Sequence, residues 1–189
     1  MKNALSQYIE LYDAHRDLVD KGSSEPLNAL RERARAALDS MELPPLKSEN
    51  FQITSLEELL APDLGVNLAR VPIAIDPRQS FHCGVPTVST AMMFMLNDIF
   101  AAPGDAPIPA FDGVFIGSLR EGARRLPEVV GKHYGSLADM KNPIVALNTL
   151  LTQDGLLVYV PKGVRLEKPL QLVNILQNGT PLAAFRRIL

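Results

Sequence analysis

Apolar residues follow two different spacings along the chain. In the first part Leu5, Tyr8, Tyr12, His15 and Val19 recur at intervals of three and four. That spacing predicts an amphipathic helix over residues 3–20, with His15 as a core or interface residue on its stripe. Gly22 fits the helix stop. Ser23 or Ser24 is placed to cap a second helix carrying Pro26 in its first turn. Leu27, Leu30, Ala34, Ala37, Leu38 and Met41 form the apolar face of that helix. Arg31, Glu32, Arg33, Arg35 and Asp39 read mostly as its solvated side. Two helices joined by a short Gly/Ser turn predict a helical hairpin over 1–42.

Leu43-Pro44-Pro45 ends the hairpin. Residues 43–110 form a mixed region broken by Pro and Gly. Ser55 with Glu58 three residues on is a capping-box pattern for a short helix near 55–60. VPIAID, 71–76, reads as a strand. VSTAMMFMLNDIF, 88–100, is long enough for a helix, but its continuous apolar block suits a buried strand, which is the reading we favour. APGDAPIPAFDG, 102–113, is a loop.

The spacing then shifts to short strands separated by turns and helices. DGVFIGSL, 112–119, reads as a strand. Ser118-Leu-Arg-Glu121 opens a helix that Pro127 interrupts or restarts. Asn142-Pro143 caps and starts another, with Ile144, Leu147, Leu150 and Leu151 inward. LLVYV (156–160) and LQLVNIL (170–176) are strand candidates, and Val164 and Leu166 flank Arg165 in a shorter alternating segment. Pro161-Lys162-Gly163 and Glu167-Lys168-Pro169 are the turns between them. Asp112-Gly113 and Asp154-Gly155 each read as a turn into a strand. Two architectures fit residues 111–189: an antiparallel meander, or the first coils of a β-helix. The last residues, Ile188-Leu189, lie in a strand-like segment with no polar cap. This predicts a fragment of a longer protein, with an open edge that favours homo-association.

Composition narrows the function classes. The 189 residues are 47% hydrophobic and 21% charged, with a net charge of −2. No broad attraction to nucleic acid or anionic membrane is expected. Aromatic residues make up 6% with no Trp, too sparse for a base-stacking platform. Cys83 is the single cysteine, so an intrachain disulfide and a Cys-rich metal knuckle are excluded. The N-terminal segment carries no apolar signal core. The longest uncharged apolar-rich run, 83–97, is too short and polar for a spanning helix. A cytoplasmic protein is expected.

Candidate chemistry is thin. His82 and Cys83 are adjacent, and adjacent side chains of a strand point to opposite faces, which disfavours joint ligation of one ion. His133 lies near a helix C-terminus, where a cation is favoured electrostatically. A metal held by His82, Cys83 or His133 is therefore a minor alternative. Asp98, Asp112, Asp154 and Glu167 are scattered among turns, which explains them without a site. Ser89 and Ser118 have no evident His/Asp partners, and Ser118 suits a cap better. Gly104, Gly113 and Gly117 form no phosphate-binding loop. Met92, Met93 and Met95 read as core filling, and Arg124-Arg125 as a solvated face. No catalytic, cofactor or metal residue is assigned.

The string DGVFIGSLREGARRLPEVVGKHYGSLAD, with NPIVALNTLLTQDGLLVYVPKGVRLEKPLQLVNIL after it, resembles the SufB/SufD family of iron–sulfur cluster assembly scaffolds. LPPLKSENFQITSLEELL and FHCGVPTVSTAMMFMLNDIF add to the resemblance, which runs from about residue 43 to the end. Phe51 stands where the family commonly has Trp, a change that keeps an aromatic packing role. The N-terminal helical hairpin suits the SufD-like branch. The resemblance implies an α+β chain: a helical hairpin, a mixed region and the first coils of a right-handed parallel β-helix. It implies a non-enzymatic scaffold subunit of a SufB–SufC–SufD complex, with ATP hydrolysis belonging to SufC and the cluster held only transiently. The family's SufC-docking, SufB-pairing and cluster-building parts lie later in the chain, so no family site residue maps here, and Cys83 matches none. The rival class is a β-solenoid enzyme acting on carbohydrate or acyl groups. It would require Asp112, Asp154 and Glu167 to converge.

Overall fold

The structure, a computed structural model, describes residues 3–77, 91–101 and 113–189. Seven helices and six strands are formed among these residues. Helix α1 spans Ala4–Lys21. Asn3 caps it by accepting from the Leu5 amide at 3.0 Å. The buried stripe is Ala4, Leu5, Tyr8, Tyr12 and Val19, as the spacing predicts for all but one position. His15 is exposed, because the helix kinks there into non-helical φ/ψ (−128°, 23°) and turns its side chain outward.

The second predicted helix is divided into α2 (Glu25–Asn28) and α3 (Arg31–Leu38). Ser24 occupies the cap position of α2 but makes no side-chain cap bond. Arg31 departs most from the expected pattern: it is 1% exposed. Helix α4 (Leu56–Leu60) starts at Ser55, whose hydroxyl accepts from the Glu58 amide at 3.2 Å. Residues 71–76 pair with no strand among the described residues.

Strands β1 (Ala91–Leu96) and β2 (Ile99–Ala101) form an antiparallel hairpin, which settles the ambiguous 88–100 run as strand over these residues. Strand β3 (Phe115–Ser118) leads directly into α5 (Leu119–Arg125), and Pro127 starts α6 (Pro127–His133). Asn142 accepts from the Ile144 amide at 2.9 Å and caps α7 (Pro143–Leu151). Strands β4 (Asp154–Tyr159), β5 (Leu170–Ile175) and β6 (Arg186–Ile188) follow. The short alternating segment around Arg165 forms no strand.

The strands form two three-stranded sheets, ordered β2-β1-β5 and β3-β4-β6. Each combines one antiparallel and one parallel pairing. β1 and β5 run parallel from Ala91 opposite Leu170 to Leu96 opposite Ile175. β4 and β6 run parallel from Asp154 opposite Arg186 to Leu156 opposite Ile188. The chain thus leaves β4, contributes β5 to the other sheet, and returns as β6 beside β4. On the way a parallel bridge joins Leu182 to Gly65. Asn97 extends the β1–β5 pairing past the strand ends. Its side-chain amide donates to the Gln177 carbonyl at 3.0 Å and accepts from the Gln177 amide at 2.9 Å.

Three apolar clusters hold this together. The largest packs α1, α3 and α7 with Leu43, Leu56 and Leu68. A second joins Leu27 and α5–α6 to Leu157 of β4. A third, Met93, Ile116 and Leu156, lies between the sheets. Met93 and Met95 fill core as expected, whereas Met92 is 38% exposed.

Candidate functional site

The densest concentration of buried polar groups is where α7 hands the chain to β4. Thr152, Gln153 and Asp154 are each at most 2% exposed. Buried polar groups are costly unless bonded, and here each has partners on a different element.

Thr152 and its helix are held by Arg31. The Arg31 guanidinium donates to the Leu150 carbonyl, to the Thr149 carbonyl at 3.4 Å and to the Thr152 carbonyl at 2.7 Å. These belong to the last turn of α7, whose carbonyls lack intrahelical partners, and a cation complements the negative end of the helix dipole. Arg31 also donates to Asn28 Oδ1 at 3.1 Å and lies 3.1 Å from Asp20 Oδ1. Burial pushes its pKa down, with Tyr134, Asp20 and Tyr12 opposing. It remains charged, since a guanidinium starts far above neutrality. The signal for its burial was in the sequence: Arg31, Ala34 and Leu38 share one helical stripe, at the three- and four-residue spacing of an inward face.

Gln153 performs the same task for α1. Its side-chain amide donates to the carbonyls of Leu18 (3.4 Å), Val19 (3.3 Å) and Leu68 (3.0 Å). Asp154 organises the start of α5. Its Oδ1 accepts from the Ser118 hydroxyl at 2.8 Å, the Arg120 amide at 3.0 Å and the Gly155 amide at 2.8 Å. Its Oδ2 accepts from Arg70 Nη2 at 2.7 Å. Ser118 in turn caps α5 by accepting from the Glu121 amide at 3.2 Å. Asp154-Gly155 is therefore no turn but the buried start of β4. Gly155 serves close approach: a Cβ there would lie 1.8 Å from the Arg187 carbonyl oxygen of β6. The Pro161-Lys162-Gly163 turn is as expected, with Gly163 at φ +85°.

Arg187 completes the junction. It donates to Asn148 Oδ1 at 3.1 Å and to Thr149 Oγ1 at 3.0 Å, and lies 5.4 Å from the centre of the Tyr134 ring. The result is a clamp in which Arg31, Gln153, Asp154 and Arg187 join α1, α3, α5 and α7 to both strands beside β4.

The candidate residues singled out from the sequence do not assemble into a reactive set among the described residues. His15 and His133 are exposed and on different helices. His82, Cys83, Ser89, Gly104 and Asp112 lie outside the described residues. Asp154 is buried by its four donors while Glu167 is exposed on a turn, so the two do not share a groove. No group of three His, Cys, Asp or Glu side chains among the described residues is placed to hold a metal. No helix among them is long and apolar enough to cross a membrane. Arg124 and Arg125 are solvated, as expected, with Arg125 5.8 Å from the centre of the Phe115 ring.

These features describe a framework: polar side chains spent on helix ends and strand starts, with no convergent nucleophile, acid–base pair or ligand set among the described residues. The family of that framework follows from comparison with known proteins. The profile of the family described as SufBD protein N-terminal region matches residues 2–172. The chain belongs to that family. It is similar to an iron–sulfur cluster assembly SufBD family protein of Synechocystis sp., 24% identical over 160 residues, covering 84% of this chain and 35% of that protein. A second protein of that description from the same organism is 35% identical over 71 residues, covering 37% of this chain and 15% of the other. The chain thus spans about a third of the first relative's length.

Proposed function

We propose that this chain is a non-catalytic structural part of an iron–sulfur cluster assembly scaffold, of the SufD-like kind, acting in the cytoplasm with SufB and the ATPase SufC. The family match across 2–172 carries this reading, supported by the iron–sulfur cluster assembly role in the names of the two Synechocystis proteins. The spending of buried polar groups on architecture accords with it. We further propose that residues 111–189 begin a right-handed parallel β-helix. The parallel returns of β5 onto β1, Leu182 onto Gly65 and β6 onto β4 support that architecture. Among the described residues β5 and β6 are edge strands of their sheets, and such edges accept a further parallel strand, from another coil or from a second copy.

A chimera tests the functional reading. Residues 2–172 replace the aligned segment of a relative in cells lacking that relative. Iron–sulfur enzyme activity is expected to return. A folded, expressed chimera that fails to restore it overturns the proposal. Elemental analysis of the isolated chain, with and without Cys83→Ala, is expected to find no stoichiometric iron or zinc.

A further inference from the structure

Among the buried polar atoms without a partner among the described residues, those of Asp98 and Arg70 have opposite charge. Asp98 lies in the two-residue connection between β1 and β2, 6% exposed. Its Oδ1 is buried and finds no hydrogen-bond partner among the described residues. Arg70 presents the complementary defect. Its Nη2 is committed to Asp154, while its Nη1 is buried and likewise without a partner among them. A buried donor or acceptor left unmade is costly, and such groups in native proteins call for an explanation. Arg70 is also conformationally constrained. Its φ is +52°, and left-handed backbone at an arginine persists only where surrounding contacts impose it. Asn97, immediately before Asp98, has φ +53°, the ordinary conformation of Asn in a two-residue hairpin turn.

We infer that Arg70 is a proton-gated clasp between the two sheets: it holds Asp154 at the start of β4 throughout, and engages Asp98 at the β1–β2 connection only when Asp98 is ionised. The idle donor and the idle acceptor are the two halves of that second contact. Other groups act on Asp98 as well. Burial raises its pKa most, Asp154 adds to the rise, and Arg70, its own backbone amide and Asn67 oppose it. Arg186, which donates to the Asn97 carbonyl, also faces Asp98. Asp98 therefore changes charge above the ordinary aspartate range, and the clasp responds to mild acid. Protonated, Asp98 needs no cation, and Arg70 then ties its own loop to β4 through Asp154 without reaching the other sheet. Ionised, it draws the free edge of the same guanidinium and ties the β1–β2 hairpin to β4. The clasp does not depend on the iron–sulfur reading.

A double-mutant cycle at two pH values tests it. Asp98→Asn, Arg70→Lys and the double variant are compared by thermal unfolding at about pH 7.5 and about pH 4. The lysine keeps a charge for Asp154 but has no second nitrogen for Asp98. A coupling between positions 70 and 98 worth about 2–4 °C in Tm is expected at the higher pH and none at the lower. Coupling that is zero at both, or equal at both, overturns the clasp. If Arg70→Lys does not fold, Arg70→Gln takes its place in the cycle. A raised pKa in the fold means stability present below the unfolded value is lost as pH rises through the folded one. The Tm advantage of Asp98→Asn must then grow with pH more steeply when Arg70 is replaced than when it is present, and equal growth in both backgrounds overturns the clasp.

Discussion

Two arginines bond to the chain where α7 passes into β4, Arg31 buried and Arg70 half-buried, and they are used differently. Arg31, on the helical side, spends its donors on three carbonyls at the end of α7 and on Asn28 and Asp20. Arg70 spends one nitrogen on Asp154 and leaves another without a partner among the described residues, as is Oδ1 of Asp98. Arg31 is multiply bonded and therefore fixed, because any alternative placement of it loses several bonds at once. The second is undersaturated and therefore able to change state. Saturation, rather than the mere presence of a buried charge, separates a lock from a switch.

The contrast is most exposed to test at Arg31. Replacing Arg31 with Leu leaves the last turn of α7 uncapped and Asp20 without its buried cation. A loss of about 3–5 kcal/mol is expected from chemical denaturation. A loss below about 1 kcal/mol would mean that the carbonyls find water and that Arg31 is no lock. Next comes Gly155→Ala. The added methyl meets the β6 backbone, so β6 must separate from β4, with a destabilisation of about 1–3 kcal/mol. Amide exchange should show lost protection at Leu189 and Val158, which are bonded across that pair.

Removing the α7 cap with Asn142→Ala should cost about 1 kcal/mol. That effect should add to the loss from Arg31→Leu only partly, since both act on ends of one short helix. The smallest effect is expected at Arg35→Ala. Arg35 binds Asp13 and Asp39 at the surface, a setting worth about 1 kcal/mol or less. The Arg35 side chain holds the Asp13 carboxyl below the usual carboxylate range. A depressed folded pKa gives stability that is present at neutral pH and fades as pH falls through the folded value. The cost of Arg35→Ala should therefore shrink in acid, opposite to the trend predicted at Asp98.

Element existence was largely legible in the pattern of residues. The Ser55, Ser118 and Asn142 caps and the Pro127 restart rest on interactions within a few residues, and the α1 stripe and the β4 and β5 runs show in local periodicity even though distant partners complete them. The failures involve distant partners. VPIAID has strand composition but finds no strand beside it among the described residues. Arg31 looks solvated by residue type, and its acceptors lie on α7, far along the chain. Asp154-Gly155 has turn composition, yet donors from three other segments and the backbone of β6 make it the centre of the clamp.

Periodicity and capping chemistry thus settled which segments fold as helix or strand, because those signals are local and the sequence carries them whole. The string from Asp112 to Ile175 carried the family as well. Tertiary structure decided which of the polar residues, even those on an apolar stripe such as Arg31, are interior. Burial of a charge depends on whether donors and acceptors from other elements converge on it. For Arg31 and Asp154, that convergence exists only once α3, α7, β3 and β4 are brought together.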